Sequence, residues 1–455
     1  LSKARQILDG AKEAPRNANT ARRLQEQRNM QDIPLPVELL ENLPIAVDLD
    51  HEKFVANVRS AKRGKSGGCA GMVTEHLRLL LSDEDIGVGS LEEVARLLSQ
   101  GRVPPFARRA LALGRISGLD KRGVDVRGIT TGHTLRRLVA RTLAQQYAVQ
   151  FGEATAPHQY ALSVKAGIDA VVHSLKAHTA QHPNSVVLSV DAVGAYDNVK
   201  RVEMLKGLHS HDELRLLLPF VRLSYASDSA YLYVEDNRAV HTISQAQGGE
   251  QGDPLMPALF CLALAPALKD CSAAWTNRGI VHQIYAYLDD IYVWVEDRQY
   301  SRVVFDSLRD ILKSGPGLDL HVQKTKLWGP NPSPPSSWSD MPEVWQADGL
   351  AVGAADDADG LRVLGAPLGS PDFIKAFCDQ RTEAEARLFE EVGTFVDHTR
   401  DVQIAFLLLK YCCATRSIHL ARTVPPSVLN THAQATDQKL QNLFAKLLSV
   451  QPDTL

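Results

Sequence analysis

Apolar residues recur along this chain in two rhythms. Alternating or continuous runs rich in Val, Ile, Leu and Tyr mark strands, and apolar positions three and four apart mark helices. The clearest strand signals are residues 185–191, which end on Asp191, and 285–295, where two apolar and aromatic runs flank Asp289 and Asp290. The second reads as a buried hairpin with both acids at its tip. Residues 115–129 and 230–244 read as further hairpins, the latter turning near Asp236 and Asn237, and residues 361–369 as one more strand. Helical spacing runs over 50–61, 73–82, 91–99, 105–114, 134–151, 201–208, 212–225 and 301–313, and from 371 to the end. Residues 255–268 are apolar throughout, with Pro257 and Pro266; the run is too short to cross a bilayer and reads as a buried helix. Residues 1–35, polar with few strand formers, read as helix or loose tail. Residues 62–68 read as a flexible basic loop, and 329–339, rich in Pro and Ser, as an exposed one.

The 455 residues suffice for two or three subdomains around a sizeable core, and 44% apolar with 23% charged residues is ordinary for a globular protein. The net charge of -3 does not suggest a nucleic-acid binder. The average hides a local bias, because residues 101–150 hold ten Lys or Arg against Asp120 and Asp125. A basic region beside an acidic one suits a protein that guides phosphates to a charged centre. The six cysteines form no Cys-x-x-Cys pair, which gives no support to a zinc finger or knuckle, and their scatter fits a reducing compartment. The chain starts at Leu1 instead of Met, which reads as a trimmed N-terminus.

Two carboxylates at the tip of a buried hairpin are costly unless something neutralises them. A divalent cation is the usual remedy, and Mg²⁺ prefers a few carboxylates plus phosphate oxygens. Asp191 is a third carboxylate in a similar setting. Asp191, Asp289 and Asp290 are therefore candidate ligands of two metal ions for in-line phosphoryl transfer. Taken singly, each also fits an ordinary role, Asp191 as a strand-end cap and the pair as a hairpin turn.

Between the acidic strands lies Gln251-Gly252-Asp253-Pro254-Leu255-Met256-Pro257. The order Asp191-x4-Tyr196-Asp197, then Gln-Gly-Asp-Pro-Leu-x-Pro, then Tyr287-Leu288-Asp289-Asp290 resembles the palm of reverse transcriptases, especially those of non-LTR retrotransposons and group II introns. The resemblance covers about residues 55–450 and is firmest over 185–370. It implies an α+β right-hand polymerase. Residues 1–50 would be an N-terminal extension and 51–184 the fingers. Residues 185–370 would be the palm, an antiparallel sheet packed on helices, with finger insertions, and 371–455 a helical thumb. It further implies RNA-directed DNA synthesis from an RNA template, a DNA primer and dNTPs, with two Mg²⁺ ions for which Mn²⁺ substitutes, and no membrane or protein partner.

The same resemblance assigns roles to single residues. Asp191 and Asp289 are the principal metal ligands, with Asp290 more peripheral. The Tyr196 ring packs under the incoming sugar and clashes with a ribose 2′-OH. Gln251 and Gly252 approach the nucleotide, Gly252 through close backbone contact. Lys121 and Arg127 clamp the triphosphate. Lys324, in Gly317-Leu318-Asp319-Leu320-His321-Val322-Gln323-Lys324-Thr325, donates a proton to leaving pyrophosphate, with Lys326 as the neighbouring candidate. Arg136, Arg137 and Arg141 track the template backbone. Asp253 caps the following helix. Glu250 stands where relatives carry a basic residue, which weakens the local pull on phosphate or is lineage variation. Residues 361–369 resemble the primer-grip strand. Two other readings stay open. An RNA-dependent RNA polymerase shares the palm, but Tyr196 argues against it. A decayed element would bind nucleic acid without catalysis, but three intact carboxylates argue against that. A retrotransposon origin implies an intracellular enzyme working near chromosomal DNA.

Overall fold

The computed structural model describes residues 13–41, 45–83, 87–121, 125–345, 360–399 and 401–452. Arg122, Gly123 and Val124, the expected turn of the first hairpin, and residues 1–12 of the expected tail lie outside them. Strands β1 (Gly114–Lys121) and β2 (Asp125–Thr131) form the first hairpin. Strand β3 (Val186–Val190) stops one residue before Asp191. Strands β4 (Ser229–Val234) and β5 (Val240–Gln245) form the second hairpin, and β6 (His282–Tyr287) and β7 (Asp290–Val295) the acidic one. Strand β8 (Lys326–Trp328) is short, and β9 (Gly360–Val363) and β10 (Ala366–Gly369) complete the set.

The central sheet has the order β6-β7-β3-β8 and is antiparallel throughout. Apart from His282, Gln283, Asp290, Ser189 and Lys326 its strand positions are apolar, because both faces are covered. Val186, Leu188 and Val190 join the main core with the helices Met256–Asn277 and Ser301–Ser314. Val187, Tyr285 and Trp294 on the opposite face pack against Val171, Val172 and Leu175 of the helix Gly167–Gln181 and against the β9-β10 hairpin. A side chain such as Leu259 or Phe260, with no exposed surface, contributes about 1.5–3 kcal/mol by leaving water.

The second sheet, β2-β1-β4-β5, joins the two other hairpins through a short parallel contact of Gly114 and Arg115 with Tyr231 and Leu232. The C-terminal helices Pro371–Thr399, Val402–Leu408 and Pro426–Leu448 pack around Leu388, Val392, Cys413 and Leu443, and Leu420 of the helix Ile418–Thr423 joins a separate cluster with Phe373, Phe377 and Leu429. The α+β, right-hand arrangement expected from the sequence is present. The borders at 50, 184 and 370 are our proposal for naming its parts; the helix Gly167–Gln181 lies on the fingers side of one border yet packs on the central sheet.

Several sequence expectations are corrected. The apolar helix runs for 22 residues, Met256–Asn277, and is by length and composition long enough to cross a membrane, as is Val402–Thr423; the first is mostly buried as a core helix. Residues 329–339 are not simply an exposed loop. Trp338 is buried, packs its ring tilted against Phe305 (5.3 Å between ring centroids) and donates its Nε1–H to Ser301 Oγ (2.8 Å). Residues 361–369 are a hairpin instead of one strand, turning at Leu364 and Gly365, both with positive φ. For residues 1–35 the helix alternative holds over Ala18–Glu26, which is capped by Asn17 and puts Leu24 in the core of the second sheet.

Candidate active site

Strand pairing brings the three acids together. Val190 sits opposite Ile291, so Asp191 leaves β3 beside Asp290 at the start of β7. Tyr287 pairs with Asp290, which leaves Leu288 and Asp289 as a two-residue turn. Beyond Asp191 the chain is held by a bridge between Ala192 and Leu320. His321 N–H donates to the Asp191 carbonyl (2.8 Å) and Val193 N–H to the Asp319 carbonyl (2.8 Å). This pairing delivers the single turn Val322–Lys324, and Lys324 Nζ forms an ion pair with the Asp191 carboxylate. Lys326 is drawn away into β8, opposite Ser189.

The electrostatics are those of a centre short of positive charge. Burial pushes the Asp289 carboxyl up, the Asp191 charge adds to this, and Arg127 and Lys324 pull back. Asp290 is pushed from 3.8 to about 6, first by desolvation of its carboxyl against the sheet, then by Asp289 and Asp191. Its side chain remains open to water, which tempers the effect. Among the described residues no three ligating side chains form a ready-made metal cage. The excess negative charge on Asp289 and Asp290 suits a divalent cation.

A pH dependence follows. The folded chain holds the Asp290 proton more tightly than the unfolded chain, so the metal-free fold gains stability as pH falls from neutrality through about 6. Divalent-cation affinity runs the other way, since the cation must displace that proton. Titration with Mn²⁺ at pH 7.5 and pH 5.5 should show weaker binding at the lower pH. Equal affinity at both would remove Asp290 from the cation's surroundings.

Of the nucleotide candidates, Arg127 and Tyr196 lie within electrostatic reach of Asp289. Leu119 pairs with Arg127 and Lys121 with Asp125, so Lys121 and Arg127 share one face of the hairpin, both exposed. Arg127 acts electrostatically on Asp289, whereas Lys121 lies farther out beside the hairpin tip. Tyr196 is half-buried, edge-on to Phe260 (5.1 Å between centroids), and burial with nearby Cys261 and Asp289 raises its hydroxyl pKa. The Gln251 carbonyl accepts from Thr130 N–H (3.0 Å), which docks the loop on the end of β2. Gly252 has φ +142°, and a Cβ there would stand 2.2 Å from the Thr130 carbonyl oxygen, so only glycine fits. The Asp253 carboxylate accepts from Leu255 N–H (2.9 Å) and Tyr225 OH (2.7 Å), one turn ahead of the helix that starts at Met256.

Two buried ion pairs escaped the sequence reading. Arg136 does not track a template. It is buried and pairs with Glu250, while Asp253 lies within electrostatic reach. Burial opposes its charge, but Glu250 and then Asp253 more than compensate. Glu250 therefore faces Arg136 and not phosphate. Arg137 is half-buried and donates to the Ser66 carbonyl (3.0 Å), and Arg141 is half-buried. Arg28, from the polar N-terminal stretch, is buried against the Asp197 carboxylate, whose other oxygen accepts from Gln251 Nε2 (3.4 Å). A lone Arg in a polar stretch gives no signal of a partner 169 positions away.

No curated protein matches this chain. Among solved structures, telomerase from Candida albicans in complex with a fragment of telomeric RNA is similar at 11% identity and a TM-score of 0.41. That likeness covers 77% of this chain and 63% of the telomerase chain, so this chain spans less than two thirds of that protein's length. A family model described as reverse transcriptase (RNA-dependent DNA polymerase) matches residues 119–368. The match begins inside the first hairpin, takes in both acidic strands and the loop between them, and ends at β10. It covers more than half of the chain, which therefore belongs to the reverse transcriptase (RNA-dependent DNA polymerase) family.

Proposed function

We propose that this chain is the reverse transcriptase of a non-LTR retrotransposon, extending a primer 3′-OH with dNTPs by two-metal phosphoryl transfer. The observation that carries the catalytic part is the meeting of Asp191, Asp289 and Asp290 at one end of the central sheet, within electrostatic reach of Arg127 and Lys324. The retrotransposon assignment rests on the motif order in the sequence.

In this reading Asp191 and Asp289 hold two Mg²⁺ ions, with Asp290 alongside. The bound ions would neutralise the phosphates and activate the attacking hydroxyl. Lys121 and Arg127 bind the outer phosphates of the incoming nucleotide. Lys324 exchanges its contact with Asp191 for the leaving pyrophosphate and gives it a proton. The Tyr196 ring, backed by Phe260, closes the space beneath the sugar C2′.

Primer extension on poly(rA)/oligo(dT) with Mg²⁺ and either dTTP or UTP tests the activity. Extension with dTTP alone is expected. Extension with UTP would move the chain to the RNA polymerases. No extension from folded protein that still binds the duplex would mark a decayed element. Tyr196→Ala should admit ribonucleotides. Relief of a steric clash worth about 1–3 kcal/mol lowers dTTP-over-UTP discrimination by about fivefold to 150-fold. Unchanged discrimination would remove Tyr196 from that role.

A further inference from the structure

The turn that carries Asp289 is strained and is held from outside its own hairpin. Leu288, the residue before Asp289, has φ +57°. A two-residue hairpin with positive φ at its first central position normally places glycine there, because a Cβ crowds the following carbonyl. Strain of this kind persists only where the surroundings enforce it.

The enforcing group is Gln159. Residues 158–160 lie parallel to the edge of β6, with Ala286 N–H donating to the His158 carbonyl (2.8 Å) and Tyr160 N–H to the Ala286 carbonyl (2.8 Å). From this added edge the Gln159 side chain reaches the turn. Its Oε1 accepts from Leu288 N–H (2.8 Å), and its Nε2 donates to the Leu288 carbonyl (3.4 Å). A second donor, Ala161 N–H (3.1 Å), fixes the amide by binding the same Oε1. Gln159 is buried, so water does not compete for these bonds. One side-chain amide thus satisfies both main-chain groups of the strained residue, as a neighbouring strand would.

We propose that Gln159 is a positioning residue for catalysis: it holds Leu288 in the left-handed conformation and thereby aims the Asp289 carboxylate. It touches no reacting atom. Its effect passes through the backbone of Leu288, and the inference rests on the proposed role of Asp289.

The substitution Gln159→Leu keeps bulk and removes both bonds. Hydrogen exchange over residues 284–292 should lose protection at the turn while the rest of the central sheet keeps its own. That readout needs no activity, so it stands even if the wild-type protein fails to extend a primer. Where the wild type is active, kcat should fall by about 10²-fold, the scale of a catalytic group displaced by about 1 Å. The KM for dTTP and the Kd for the primer–template should stay within about twofold, since neither involves the turn's precise aim. Adding Leu288→Gly, which relieves the strain, should recover part of the loss, so the double variant is more active than the product of the two single effects requires. Unchanged exchange at the turn overturns the proposal, as does wild-type kcat in Gln159→Leu. Strictly multiplicative effects in the double variant would overturn the coupling to Leu288. An inactive wild type whose turn loses protection in Gln159→Leu would instead defeat the polymerase reading and leave the clamp standing.

Discussion

Asp289→Ala is expected to reduce nucleotide incorporation by roughly 10³-fold or more while leaving primer–template binding intact. The size follows from what the carboxylate would do. Lewis-acid stabilisation by a bound cation is worth several kcal/mol, and each 1.36 kcal/mol is tenfold in rate. Binding should survive because nucleic-acid affinity comes chiefly from cations on phosphates, and Asp289 works against it. Its removal also relieves repulsion from Asp191, so the metal-free protein should not unfold more easily. Asp289→Asn separates charge from shape: it keeps the side-chain outline, and its activity should be as low as that of Asp289→Ala. Single-turnover extension gives the rate and fluorescence anisotropy of a labelled duplex gives the binding. Full activity in either variant would refute the assignment of Asp289. A parallel loss of binding would show that the turn shapes the duplex site instead.

The parts legible in the sequence are those where local pattern and chemistry coincide. Strand β3 and the β6-β7 hairpin are marked by β-branched and aromatic runs with acids at their ends, and the structure places those ends side by side. The parts that were not legible depend on distant partners. Arg136 sits on a helix among other arginines, and a charged residue on a helix reads as solvent-facing unless its counter-ion is known. That counter-ion, Glu250, is 114 residues away. Residues 1–35 read as either helix or tail because nothing in them announces the sheet that the helix Ala18–Glu26 covers. The β9-β10 turn hid inside an apolar run because Leu364 takes a positive φ that leucine rarely adopts. Gln159 was missed for the same reason as Leu288. Backbone strain does not show in residue type, and a clamp makes sense only once the strain is seen.

Arg136→Ala is expected to destabilise the protein by about 3–5 kcal/mol, the scale for breaking a buried ion pair from one side. The Glu250 side chain is only 1% exposed, and without Arg136 its charge would be left in the interior with no direct ion-pair partner. It must then take up a proton or draw in water, and both cost stability. Glu250→Ala should be comparably harmful, since Arg136 would lose the carboxylate that holds its charge. Replacing both, Arg136→Met with Glu250→Leu, should cost much less than the sum, because no charge is stranded. The pair also has a place in the proposed site. Glu250 directly precedes Gln251, and the Gln251 carbonyl is bonded to Thr130 at the end of β2. The ion pair therefore ties the helix Thr134–Gln146 to the loop that approaches the nucleotide. The charge-free double variant should fold and yet show a raised KM for dNTP, because the loop loses its directional anchor. Urea unfolding measures the first effect and steady-state extension the second. An Arg136→Ala protein within about 0.5 kcal/mol of wild type, the range of ordinary surface substitutions, would mean that water reaches the pair and that it anchors nothing.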